Sequence, residues 1–314
     1  MKNLKNFVKK IPLLFPFLKV IQDQRYLYHY LQGFLTGKTL RSMFSKLEAR
    51  LFFRSEDETL NFALHDIDGL VELTKNGYIE NPLIIDNAKI DEINEFLITK
   101  PMHDPESADN SYFLFQDKLP NVKRGFYKCE DVVHCPHILS IANNPSLLNV
   151  AYNYFGAVPT IDYIGSWWSF PSDELALTQS FHRDIDTLNS LKFFVYLSDV
   201  DAKSGPHIYV KGSHDSKFKT SKDKMHADNE IINEYGSNNI IELKGQKGYT
   251  FIADTFGFHK GLPPTENNRL VLQIIYTLKR TPFSPKKPFI SNDDAINLCP
   301  NPYSKYVNRN IIKI

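Results

Sequence analysis

From about residue 158 the chain is cut into short β-rich runs by turn residues, and that rhythm limits the architectures open to it. Thr160 to Trp168, Leu191 to Leu197, His207 to Val210, Tyr249 to Ala253 and Arg269 to Thr277 are the clearest runs. Gly205-Pro206, Gly212-Ser213, Gly245, Gly248 and Pro263-Pro264 punctuate them. Several short strands at this spacing predict a double-sheet jelly roll or a barrel.

Ahead of that half the pattern is helical. Residues 26–53 are rich in Tyr, Leu, Phe and Lys, with Leu31, Phe34 and Leu35 near helical spacing. A polar break at Ser55-Glu56-Asp57-Glu58 precedes a second helical stretch through Leu73, and Asn76-Gly77 signals a turn. Tyr78 to Ile85 reads as a short strand interrupted by Pro82, and Asp86 and Asn87 suit the cap of a helix from Ile90 to Leu97. Another helix is expected after Pro136, running through Ile138, Ile141, Leu147, Leu148, Val150 and Ala151 to about Gly156. Residues 281–314, rich in Pro, Asn and Lys, read as an irregular tail. The division expected is a basic helical extension over 1–60, a main domain over 61–280 and the tail.

The 314 residues are 42% hydrophobic and 23% charged, which excludes a disordered chain and allows a sizeable core. No apolar stretch approaches the roughly 18 residues of a membrane span. The run Ile11 to Leu18 carries Pro12 and Pro16 and is followed by Lys19 and Val20, so no cleavable signal is read there. Three cysteines, Cys129, Cys135 and Cys299, argue against a disulfide scaffold and for a reducing compartment, the cytoplasm. The net charge of +1 conceals an asymmetry: residues 1–50 hold ten Lys/Arg against two acids, so they carry +8 and the remainder −7. This basic arm either packs across the acidic body or lies on the anionic inner face of a membrane. Phe7, Val8, Ile11, Leu13, Leu14, Phe15, Phe17, Leu18 and Val20, interleaved with Lys9, Lys10 and Lys19, suit the second option. No nucleic-acid motif accompanies the charge.

The string Gln179-Ser180-Phe181-His182-Arg183-Asp184 carries the chemistry. On a strand, residues two apart share a face, so His182 and Asp184 offer an imidazole nitrogen and a carboxylate oxygen to one point. His259, 77 residues downstream in Phe256-Gly257-Phe258-His259-Lys260-Gly261, is the best third ligand. Two histidines and a carboxylate on one face of an octahedral metal leave open positions, as suits Fe(II) binding both a cosubstrate and O₂. Arg269 opens the apolar strand that ends at Tyr276. Inside a barrel mouth its planar fork needs an anion, and the far carboxylate of a metal-chelating dicarboxylic keto acid would supply one.

With these residues in view, the sequence resembles the phytanoyl-CoA dioxygenase family. The matching segments are His182-Arg183-Asp184, Leu191 to Val200, Ser204-Gly205-Pro206, Val210-Lys211-Gly212-Ser213-His214 (the family's PGSH segment, with Lys211 in place of proline), His259 and Arg269. The resemblance covers roughly residues 65–280. It implies a cupin-like double-stranded β-helix, mainly β with flanking helices, that uses Fe(II), 2-oxoglutarate and O₂. His182, Asp184 and His259 would hold the iron, Arg269 would bind 2-oxoglutarate, and Phe194 would line the cosubstrate pocket. Halogenating relatives lack the carboxylate, so Asp184 implies hydroxylation or a related oxidation.

The other classes weighed are a non-catalytic binding module on the same fold and a zinc hydrolase with the same three ligands. The intact set of four residues counts against the first, and Arg269 against the second. Trp168, Gln179 and Arg183 are candidates to face a small-molecule, sugar or lipid-linked substrate. Trp167 and Trp168 also suit core packing, and Arg183 an external salt bridge. Lys123, Arg124 and Lys128 form a basic patch open to an anionic substrate or to solvent. Cys129, His134, Cys135 and His137 fit no zinc module by spacing. His214 is expected to bond backbone, and His207 suits core or pocket equally.

Overall fold

The computed structural model describes residues 19–27, 30, 38–54, 56, 67–107, 111–172, 179–216, 225–299 and 303–313. The run Phe7 to Leu18, the residues Leu31, Phe34 and Leu35, and the stretch 57–66 lie outside these. In chain order the N-terminal half contains α1 (Lys38–Phe52), α2 (Ile67–Asn76), β1 (Tyr78–Glu80), α3 (Asn87–Leu97), β2 (Met102–His103), β3 (Tyr112–Phe113) and β4 (Arg124–Tyr127). The helices α4 (Cys129–His134), α5 (Ile138–Ala142) and α6 (Pro145–Phe155) then lead into β5 (Thr160–Ser169), β6 (Ser190–Tyr196) and β7 (His207–Val210). The chain continues through α7 (Asp228–Tyr235), β8 (Ile240–Leu243), β9 (Thr250–Ala253), β10 (His259–Gly261), β11 (Arg269–Thr277), α8 (Asn292–Leu298) and α9 (Lys305–Asn308).

Every residue of β6 is buried, as only a strand flanked on both edges and covered on both faces can be. β11 and β9 pair with it, antiparallel, in a sheet of order β1-β9-β6-β11-β5-β4-β2-β3. Strand alternation then divides the side chains between two interiors. Leu191, Phe193 and Val195 of β6, with Leu270, Leu272, Ile274 and Tyr276 of β11, join the core under the helices. Phe194 and Tyr196, with Phe251, Ala253 and Val271, face inward against the second sheet, β10-β7-β8. The architecture is a jelly roll, mainly antiparallel β with flanking helices, as the strand rhythm predicts.

The helical cover follows local signals. Asp86 accepts from the Ala88 N–H to start α3, and Asn144 accepts from the Ser146 N–H ahead of Pro145 at the first turn of α6. Where one helix is expected after Pro136, there are two. Asn143 closes α5 before Asn144 caps α6, and Pro136 precedes a left-handed His137 rather than opening the helix. The Asn76-Gly77 turn requires its glycine: φ is +84°, and a Cβ would stand 2.2 Å from the Tyr209 hydroxyl. The strand after it stops at Glu80, before Pro82.

The C-terminal segment differs from the irregular tail expected. Ser291 and Ser304 cap α8 and α9, and Ile290, Ala295, Val307, Ile311 and Ile312 are buried in the main core. Asn143 and Asn308 donate to one another's side-chain oxygens at 3.1 and 2.7 Å, and the Thr160 hydroxyl donates to the Val307 carbonyl at 2.8 Å. Turn-rich composition disguised the segment, because its few apolar residues fill gaps left by α5 and β5 instead of forming a periodic face. Ile311→Ala is therefore expected to cost about 2–5 kcal/mol in urea unfolding. An unchanged midpoint would show that the segment is not part of the core.

Candidate active site

His182 and His259 are brought together by backbone. His182 N–H donates to the His259 carbonyl and His259 N–H to the His182 carbonyl, each at 3.0 Å, an isolated antiparallel bridge that extends the β10-β7-β8 sheet. His182 thus lies at a single bridge residue rather than within a continuous strand, yet the pairing sets the two rings 4.3 Å apart. The Asp184 N–H donates to the Thr255 carbonyl at 2.9 Å, which fixes the carboxylate beside them. One ligand atom from each of His182, Asp184 and His259 lies within 4.8 Å of the others, and among the described residues no other such group occurs. Cys129, His134, Cys135 and His137 form none; His134 and His137 turn instead to the Glu130 carbonyl and the Glu92 carboxylate.

The protonation pattern suits a cation. Nδ1 of His182 is 2.9 Å from the Ser180 carbonyl oxygen, and Nδ1 of His259 is 2.9 Å from that of Gly257. A carbonyl only accepts, so Nδ1 is the protonated nitrogen that faces it in both rings, and Nε2 is the nitrogen turned towards the common point. Those Nε2 atoms lie 3.8 and 3.3 Å from the two Asp184 oxygens. Burial, with His259 beside it, pushes the His182 imidazolium pKa down to about 4, so the ring is neutral near pH 7. Burial alone would raise the Asp184 carboxyl, but Lys192, His259 and His182 outweigh it and hold it well below the usual range. Two imidazoles that face one point through Nε2, with an ionised carboxylate beside them, fit a divalent transition metal such as Fe(II).

Lys192 is the residue that sequence reading missed. It points from β6 into the barrel, 6% exposed, with Nζ 2.7 Å from Asp184 Oδ2 and 3.1 Å from Asp186 Oδ2. Burial would lower its ammonium pKa, but the two carboxylates reverse that and keep it charged. The available signal was a lysine inside Leu191-Lys192-Phe193-Phe194-Val195, a run otherwise apolar on both faces.

A cavity of about 230 Å³ contains the three residues and ends at Arg269. Arg269 is 7% exposed and donates to the Ser169 hydroxyl at 3.2 Å. Among the described residues no carboxylate lies within 4.0 Å of its guanidinium, and burial lowers its pKa. Gly261 leaves it room, since a Cβ there would stand 3.2 Å from Nη2. Phe194 lines the same cavity, stacked on Phe251 at 4.6 Å, and so does Gln179. His207, undecided from sequence, also lines it: its ring lies 5.4 Å from that of His259, and its buried Nε2 has no partner. A larger cavity, about 570 Å³, lies between α1 and residues 254–256 and is lined by none of His182, Asp184 and His259.

Two candidates fall elsewhere. Trp168 turns to the helical side, donating from Nε1 to the Tyr127 hydroxyl at 3.0 Å and packing on Phe115. Its neighbour Trp167 lines the cavity, stacked on Phe126 at 5.3 Å, because it shares the face of Ser169 and Arg269. Arg183 is not among the residues that line the cavity. It donates to the Phe256 carbonyl at 2.7 Å and lies 4.0 Å over the Phe258 ring. His214 bonds backbone as expected, with Nε2 3.1 Å from the Thr74 carbonyl oxygen.

In sequence the chain matches no protein-family model and no curated protein. Solved structures do match in shape. EctD from S. alaskensis is 18% identical with a TM-score of 0.51, over 82% of this chain and 94% of its own. HygX from Streptomyces hygroscopicus, solved with nickel, 2-oxoglutarate and hygromycin B bound, is 15% identical with a TM-score of 0.49, over 71% and 90%. The non-heme alpha ketoglutarate dependent carbocyclase SnoK from nogalamycin biosynthesis is 14% identical with a TM-score of 0.47, over 67% and 83%. At these identities the likeness is one of fold: this chain has the jelly-roll architecture it shares with EctD.

Proposed function

We propose that the protein is a non-haem Fe(II)- and 2-oxoglutarate-dependent dioxygenase that hydroxylates an unactivated C–H bond of a small-molecule, sugar or lipid-linked substrate. The observation that carries this reading is one small cavity lined by two imidazoles and a carboxylate that converge on one point and by an arginine that, among the described residues, has no carboxylate partner. A metal site alone would suit a hydrolase; the buried guanidinium asks for an anion reaching away from the metal. HygX, on a similar fold, is described with 2-oxoglutarate bound.

His182, Asp184 and His259 would hold the iron, and Arg269 with Ser169 would receive the far carboxylate of 2-oxoglutarate. His207 Nε2 is a further polar group free to bond the cosubstrate, and Phe194 is an apolar wall beside it. When bound, Fe(II) with 2-oxoglutarate and O₂ supplies the oxidant for C–H hydroxylation, with release of succinate and CO₂. Lys192 holds Asp184 in place and ionised. Trp167 and Gln179 are the wall groups we assign to substrate contact, in place of Trp168 and Arg183.

Anaerobic addition of Fe(II) and then 2-oxoglutarate is expected to give the visible charge-transfer band of the chelate, and His259→Ala to lose it. His182→Ala and Asp184→Ala are expected to abolish turnover. Arg269→Ala should keep iron binding but raise the 2-oxoglutarate concentration for half-saturation by roughly 10- to 100-fold, the loss of a charge-assisted pair. Iron binding with no band in the wild type would overturn the cosubstrate assignment. Lys192→Met leaves two carboxylates unpaired. Without metal it should unfold about 2–3 kcal/mol more easily, less than in a fully dry site because both acids keep some contact with water. Equal urea midpoints for variant and wild type would refute the role given to Lys192.

A further inference from the structure

Helix α1 leaves a stripe of large apolar side chains exposed while it turns Arg41, Ser45 and Glu48 to the protein. Leu40, Met43, Phe44, Leu47 and Leu51 are 52%, 52%, 41%, 46% and 61% exposed. Their spacing places them on one stripe about 100° wide. On the opposite side, Glu48 pairs with Lys279, the Ser45 hydroxyl donates to Asn189, and Arg41 lies 3.5 Å over the Phe256 ring. A helix of a water-soluble surface has the reverse arrangement, so the stripe marks a contact.

We infer that this stripe docks onto an anionic lipid surface. Charge selects that occupant. The exposed Lys46 and Arg50 share the helix with the stripe, and residues 1–50 carry +8. Ile21, 64% exposed, and Leu27, 45% exposed, add apolar groups in the same basic segment. Apolar side chains at the acyl boundary with cations at the headgroups are what an interfacial helix needs. A second copy of this chain would instead set one basic arm against another. The helix is also tied to the active site: Arg41 donates to the Leu188 carbonyl at 3.3 Å, and Leu188 and Asn189 lie on the connection between Asp184 and β6. Docking there would hold the metal-binding loop close to the lipid surface. The docking does not depend on the reaction proposed above, and its test involves no turnover.

The experiment is co-sedimentation of the full chain with vesicles of phosphatidylcholine alone and of phosphatidylcholine mixed with phosphatidylglycerol. The wild type is expected to bind the mixed vesicles and to release as salt is raised. Phe44→Ser/Leu47→Ser/Leu51→Ser keeps the charge constant and should lower the binding constant by about tenfold or more. Its unfolding midpoint should not fall, because those side chains are already exposed. If the triple variant does not fold, the single substitution Leu47→Ser is the comparison, with a smaller loss expected. Absence of binding by the wild type, or undiminished binding by a folded variant, overturns the inference. So does a wild-type dimer in sedimentation equilibrium that the variant dissolves, because a second copy would then cover the stripe.

Discussion

Two backbone hydrogen bonds between His182 and His259 hold together what the rest of the site needs. They join residues far apart in sequence across a bridge a single residue wide, with no continuous ladder on the His182 side to share the load. The rings are oriented by the next layer of contacts, the Ser180 and Gly257 carbonyls that take their Nδ1 protons. The His259 side of this bridge is in turn held by the pairing of β10 with β7. The three side chains thus have their placement set by main chain, the least adjustable part of a fold, and their charge set by the side chains around them.

Two buried cations that line the cavity, Lys192 and Arg269, are treated differently. Lys192 sits between Asp184 and Asp186, so its cost of burial is offset within the folded chain. Among the described residues Arg269 has a hydroxyl partner and no acid. Folding leaves that guanidinium incompletely compensated, and its remaining donors are held in a fixed fork where an anion can use them. The contrast separates a cation whose charge is met by acids within the chain from one that meets no acid among the described residues.

Much of the β-rich half was legible because its signals are local. The runs from Thr160 onward predict β5, β6 and β9 to within a residue and β7 and β11 at both ends, while the short strands β8 and β10 carry no such run. His182, Asp184, His259 and Arg269 were singled out from residue type and spacing, and the structure brings them to one cavity. What sequence could not give was side-chain direction where strand boundaries were uncertain. Trp167 and Trp168 are adjacent and chemically equal, and only the register of β5 against β11 decides which one faces the cavity. Arg183 needed knowledge of Phe256 and Phe258, more than seventy residues away. The C-terminal helices were unreadable for a related reason: their apolar residues are few, and they matter through the gaps they fill.

The cavity's size has its own consequence. About 230 Å³ is below the roughly 300–1,000 Å³ of sites that enclose a drug-sized ligand. On the proposed reading the cosubstrate takes part of that space. A substrate can then insert only the carbon to be attacked and its nearest neighbours, while most of its mass stays outside. Selectivity would rest on how a molecule is presented at the mouth rather than on how completely it is engulfed. Large molecules sharing one small accessible group could then be equivalent to the site, and the surface that holds and aims them would do the discriminating.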